Sequence, residues 1–224
     1  MKFFIGANLK MNKTYSELEK YNFELSQKHT KLKNMELMIS PNFTALNIFS
    51  ENKNISLWSQ NMSAEKSWAF TWEISLEMLV DLNCKYVILG HCEVRKNLWE
   101  SNELINKKAH LAIKNWIIPI ICISEEWQLE ESIKYLKEEN IIIAYEPLSA
   151  IWTWKIDSIE NISENMYFIK NKLQNNNSRI IYWWSVKSDN CLELSKIKNL
   201  DWFLIWWAAL EVDSLLEIID EIKK

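Results

Sequence analysis

The sequence predicts an α/β fold, a (β/α)₈ barrel built by a single domain spanning residues 1–224. Three observations predict it. Short apolar runs rich in β-formers recur along the whole chain at 3–7, 37–39, 55–57, 86–89, 117–123, 141–145, 179–182 and 203–205. Polar–apolar stretches with helical spacing lie between most of them, as an alternating α/β chain requires. The length of 224 residues is close to the roughly 250 typical of one such barrel.

Taken in order, the run 3–7 is apolar on both faces, as a strand buried in a parallel sheet must be. The stretch 15–29 after it carries apolar residues at helical spacing. The runs 37–39, 55–57 and 86–89 are the next three strands, and 102–115 is the next clear helix. Strand 117–123 leads to helix 126–138, and strand 141–145 to helix 159–173. The polar run 174–177 reads as a turn after the sixth helix. Strands 179–182 and 203–205 and helix 210–223 complete the count of eight. A doubly wound open sheet is the rival arrangement, but no strand is followed by a GxGxxG turn. No Pro/Ser-rich linker divides the chain.

Composition narrows the function classes. The net charge is −4 and no basic stripe is visible, which argues against a nucleic-acid partner. No apolar run approaches the roughly 18 residues of a membrane span. The apolar run at the N-terminus is too short for a signal peptide. Cys84, Cys92, Cys122 and Cys191 form no CxxC pair and no metal-ligand spacing, which fits a reduced, cytoplasmic protein. The sequence offers no ligand cluster for a metal or a redox cofactor.

The composition has one anomaly: thirteen Trp stand against two Gly. Average usage of about 7% Gly would put roughly 16 in a chain of this length. Several Trp fall where a backbone at positive φ or in close approach to a ligand calls for Gly. They are paired as Trp183-Trp184 and Trp206-Trp207, and spaced by one as Trp152 and Trp154. A UGA codon read as Gly in the source cell and rendered here as Trp explains the pattern, and a protein truly rich in Trp is the alternative.

Active sites of (β/α)₈ barrels lie where strands end and the following loops begin. Gly6-Ala7-Asn8-Leu9-Lys10 ends the first strand, and alternation puts Asn8 and Lys10 on one side. A Lys there can bind phosphate and stabilise developing negative charge; alone, it also reads as a solvated loop residue. Gly90-His91-Cys92-Glu93-Val94-Arg95 follows the fourth strand, and His91 could polarise a carbonyl or serve as a structural His. His29 and His110 lie on helices and read as surface or packing residues. Ala144-Tyr145-Glu146-Pro147 delivers Glu146 to the barrel rim, where loss of water raises a carboxyl pKa. The segment 148–155, with Gly at 152 and 154, becomes a short apolar loop with flexible ends, as a lid needs. With Gly at 183, 184, 206 and 207, the seventh and eighth strand ends offer backbone amides to a phosphate, with Ser185 beside them.

These segments together resemble the triosephosphate isomerase family along essentially the whole chain. The resemblance rests on Asn8-Leu9-Lys10-Met11-Asn12, Ser59-Gln60-Asn61-Met62-Ser63, Ala69-Phe70-Thr71-Trp72-Glu73, Gly90-His91-Cys92-Glu93-Val94-Arg95 and Ala144-Tyr145-Glu146-Pro147. Trp183-Trp184-Ser185-Val186 and Trp206-Trp207-Ala208 join it once Trp is read as Gly. It implies a TIM barrel that interconverts dihydroxyacetone phosphate and D-glyceraldehyde 3-phosphate through an enediolate, in glycolysis and gluconeogenesis. It implies Glu146 as the proton-shuttling base and His91 as the neutral electrophile. Lys10 and Asn8 would bind substrate and stabilise the enediolate, and Glu93 would support the site. A lid over 147–155 would close on a phosphate held by amides at Trp152, Ser185, Trp206 and Trp207. The resemblance also implies a homodimer, through the long loop 60–73, and no cofactor. Cys92 and Ser149 depart from the family's usual residues, and the segment from Cys122 to Glu146 is shorter than the family's, which implies a trimmed fifth helical layer.

Two other readings stay open on sequence alone. One is another phosphate-binding barrel enzyme, such as an aldolase or a biosynthetic isomerase; an aldolase would need a Schiff-base Lys among its strands, and no apolar strand core contains one. If the Trp residues are real, the chain could instead be a catalytically impaired barrel serving as a binding or structural protein.

Overall fold

The computed structural model describes residues 3–136, 141–147, 156–173, 178–183 and 185–223. Eight parallel strands close into a barrel in sequential order. They are β1 (Phe3–Asn8), β2 (Met35–Ser40), β3 (Ser56–Ser59), β4 (Tyr86–Leu89), β5 (Ile118–Ile123), β6 (Ile142–Tyr145), β7 (Arg179–Trp183) and β8 (Trp202–Ile205). Pairing of β1 with β8, through Phe4 to Trp202 and Ala7 to Ile205, closes the ring. All eight apolar runs become strands, within a residue or two at each end.

Side chains alternate between two cores along each strand. Phe4, Met38, Trp58, Tyr86, Ile88, Ile120, Ile142, Ile181 and Leu204 fill the barrel interior. Their neighbours Ile5, Leu37, Ile39, Val87, Ile121, Ile143, Ile180 and Phe203 pack outward against the helical layer. This two-sided burial is why the strands read as continuous apolar runs and not as an alternating pattern.

The outer layer contains α1 (Tyr15–Lys28), α2 (Leu46–Ser50), α3 (Leu76–Asp81), α4 (Cys92–Leu98), α5 (Asn102–Lys114), α6 (Glu126–Ser132), α7 (Ile159–Lys172), α8 (Cys191–Leu194) and α9 (Val212–Ile222). Three of the long helices begin on sequence-encoded caps. Thr14 and Glu17 form a reciprocal capping box on α1, and Ser101 and Ser158 cap α5 and α7. Helix α6 ends at Ser132, six residues before the periodicity suggested, so the fifth layer is short. The last helix starts at Val212, after a 3₁₀ turn over Trp207–Leu210. His29 is buried, in accord with a packing role. The turn at 174–177 and the lid at 148–155 lie outside the described residues. Among the described residues, no helix is long and apolar enough to cross a membrane.

Candidate active site

Strand ends β1, β4 and β6 bring Lys10, His91 and Glu146 together at the C-terminal rim of the barrel. Their separation along the chain is bridged only by the closed sheet. Asn8 is the last residue of β1 and is buried. Its Oδ1 accepts the Lys10 backbone N–H at 2.9 Å. Lys10 itself sits at φ 50°, a left-handed conformation uncommon for a side-chain-bearing residue. Gln60 steadies it by donating Nε2–H to the Lys10 carbonyl at 2.8 Å. Strain held by neighbours in this way recurs where a catalytic group must be aimed.

His91 is the N-cap of α4, and its Nδ1 accepts the Glu93 backbone N–H at 3.1 Å. A nitrogen that accepts from an amide carries no proton, so the neutral ring bears its proton on Nε2. Burial, reinforced by the Lys10 charge, pulls the His91 pKa down to about 3. The ring is therefore neutral throughout the physiological range. Its Nε2 is buried without an aligned hydrogen-bond partner among the described residues. A donor desolvated in this way is poised for an incoming oxygen.

Glu146 follows β6 directly and is 1% exposed. Its Oε2 accepts the Cys92 backbone N–H at 3.0 Å, and its Oε1 lies 3.2 Å from His91 Nε2. Burial raises its pKa to about 7, although the Cys92 N–H and the Lys10 charge pull the other way. The partial desolvation expected from the rim position is thus complete. A carboxyl balanced near neutrality is suited to taking and returning a proton.

The Lys10 ammonium lies 2.7 Å from Glu93 Oε1 and 4.0 Å from the centre of a Trp206 ring. Trp183 is buried and packs edge-on against His91 at 4.4 Å between ring centres. Ser185 sits at φ 48°, and Trp207 is largely exposed. A cavity of about 770 Å³ opens here, lined by Trp183, Ser185, Lys187, Trp206, Trp207 and Ser214. Trp152 and Trp184 lie outside the described residues.

Two residues that sequence reasoning missed hold the His91 segment. Glu100 Oε2 accepts the Gly90 backbone N–H at 3.0 Å and is ion-paired with Lys108, both side chains being buried. Arg95 donates to the Gly90 carbonyl at 2.7 Å and to the Cys122 carbonyl at 3.1 Å. Linear spacing also concealed a grouping of His91, Cys92 and Glu146, whose donor atoms lie within 4.8 Å of one another. With Nδ1 bonded to the Glu93 amide and the proton on Nε2, the ring has no lone pair free for a cation. Burial also holds the Cys92 thiol well above its ordinary pKa.

A closed barrel with a neutral imidazole, a desolvated carboxyl and an ammonium at its strand ends defines an enzyme of acid–base chemistry on a small anionic substrate. Residues 3–222 match the family described as triosephosphate isomerase. The chain is 37% identical to the triosephosphate isomerase of Mycoplasmopsis pulmonis, over 97% of both proteins. It is 39% identical to that of Mycoplasma mobile, over 97% of this chain and 98% of the relative. It is 34% identical to that of Dictyostelium discoideum, over 97% of this chain and 95% of the relative. The chain belongs to the triosephosphate isomerase family.

Proposed function

We propose that the chain interconverts dihydroxyacetone phosphate and D-glyceraldehyde 3-phosphate, the aldose–ketose step shared by glycolysis and gluconeogenesis. The observation that carries this reading is the desolvated Glu146 carboxyl beside a neutral His91 with a free Nε2 donor. Glu146 takes the proton from the carbon next to the carbonyl. The electron pair moves to the carbonyl oxygen, which receives a hydrogen bond or proton from His91 Nε2. The Lys10 ammonium offsets the negative charge that develops on the enediolate, and Asn8 fixes the Lys10 backbone. The adjacent hydroxyl then gives its proton to His91 Nε2 as its own carbon becomes the new carbonyl, and Glu146 returns its proton to the former carbonyl carbon, so both residues are restored and atoms and charge balance without an external reactant. Glu93 positions Lys10 through their 2.7 Å ion pair.

Backbone amides at positions 152, 185, 206 and 207 hold the substrate phosphate in this reading, beneath a lid over 147–155. A homodimer forms through the loop 60–73, where Met62 is buried at the base while Trp68, Phe70 and Trp72 face outward. The protein works in the cytoplasm. A coupled assay of both substrates tests the activity, on the chain as given and with glycine at the thirteen Trp codons. Activity in neither would end this reading.

A further inference from the structure

We propose that the protein made in its own cell carries glycine where this sequence has tryptophan. The backbone supplies the reason. Trp68, Trp72, Trp99 and Trp116 adopt φ values of 111°, 78°, 56° and 65°. L-residues with a Cβ are strained there, and glycine is not. Burial of the indole could offset such strain, but all four are exposed, between 76% and 93%.

Two of the four close helices by geometries that glycine dominates. Trp99 is the left-handed residue that ends α4. Trp116 follows Asn115, the C-cap of α5, inside a complete Schellman motif. The Trp116 N–H reaches the Ile113 carbonyl at 3.2 Å, and the Ile117 N–H reaches the Ala112 carbonyl at 3.1 Å. Its middle position is normally glycine. Trp68 and Trp72 occupy turns of the loop 60–73, with the Phe70 N–H bonded to the Trp68 carbonyl at 2.9 Å.

The barrel interior carries an independent sign of the same replacement. Trp58 is fully buried, and its indole N–H has no hydrogen-bond partner among the described residues. A Cβ on neighbouring Gly6 would lie 2.6 Å from the Trp58 ring. A buried polar atom without a partner is uncommon in a settled core. One reassigned UGA codon replaces every such position by one rule. It therefore also places glycine at 183, 206 and 207, removing the indole against His91 and the ring over Lys10. Exposed backbone amides would then stand at the strand ends beside the 770 Å³ cavity.

Peptide sequencing of the protein from its own cells, across 110–118 and 94–102, tests this directly. Glycine at 116 and 99 is expected, and tryptophan at either position overturns the proposal. A second measurement is independent of catalysis. The recombinant chain is compared by thermal melting with variants carrying W68G, W72G, W99G and W116G together, or alanine at the same four sites. Glycine should raise the Tm by several degrees and exceed alanine, which loses the indole but keeps the left-handed strain. A glycine variant melting no higher than the alanine variant would overturn it.

Discussion

Glu146 Oε1 lies 3.2 Å from Nε2 of His91, although 55 positions separate the two residues in the chain. Both side chains are buried, and burial moves their pKa values in opposite directions. The carboxyl rises to about 7 and the imidazole falls to about 3. Each loses its charged form to desolvation, and the result is a poised base beside a neutral donor.

The first consequence is a pH profile of activity. The base must be ionised to accept a proton, so kcat/KM should fall as the pH drops through about 7, the Glu146 value. No limb should arise from His91 ionisation near 6.5, because that ring stays neutral down to about 3. Measuring kcat/KM for Glu93→Gln in parallel checks the assignment, since removing this exposed acid should leave the limb close to neutrality. An acid limb near 4.5 would mean that Glu146 is not desolvated in the working enzyme.

A second consequence concerns stability. The folded Glu146 binds its proton more tightly than the unfolded one, so this group costs stability as pH rises from 4.5 to about 7. His91 works the other way: its folded pKa is depressed, so stability is lost as pH falls from 6.5 towards 3. Between 4.5 and 6.5 the two slopes oppose each other. Glu146→Gln removes the first alone, so its stability relative to the parent should grow with pH, by an amount on the order of 3 kcal/mol by pH 7. Denaturant midpoints across this range measure it, and a flat difference would contradict the assigned shift.

Lys10 should contribute to both binding and the barrier. Its ammonium is held 2.7 Å from Glu93 and faces the same space as His91 and Glu146. Lys10→Met should raise KM and lower kcat together, the pattern of a charge used in both ground and transition states. A change in KM alone would make it a binding residue only.

The buried pair of Glu100 and Lys108 carries the Gly90 amide, and through it the position of His91. Removing one partner leaves an uncompensated buried charge. Glu100→Leu should therefore destabilise the fold by about 3–5 kcal/mol. The double variant Glu100→Leu with Lys108→Met should recover much of that stability but not the activity, because the Gly90 N–H still lacks its acceptor. Urea unfolding and kcat on the same samples separate the two effects.

How much of this was legible in the sequence follows from the physics of each element. Strands β1 to β8 were legible because burial on both faces leaves unbroken apolar runs between polar ones. Helices α2, α3, α4 and α8 were not, since four to seven residues are too few to establish a helical period. Helix α6 stops early at Ser132, whose side chain is buried and donates to Asn102. Lys10, His91 and Glu146 could be found because each follows a strand. Glu100 and Arg95 could not, because they act on the backbone of Gly90 and Cys122 across the closed sheet. The tryptophans were suspect from composition, but only the backbone shows which of them sit at positive φ.

The measurement closest to the chemistry follows a single proton. Dihydroxyacetone phosphate is incubated in D₂O with the chain carrying glycine at its thirteen Trp positions, and carbon-bound deuterium is followed by NMR. Deuterium should enter the hydroxymethyl carbon of the substrate and the carbon next to the aldehyde in the product, and not the carbon that carries the phosphate. Glu146→Gln should slow both exchange and isomerisation by about 10²–10⁴-fold while leaving KM nearly unchanged. Exchange that persists at full rate in Glu146→Gln, or no exchange with the unmutated Glu146, would contradict a base built from Glu146 beside a neutral His91.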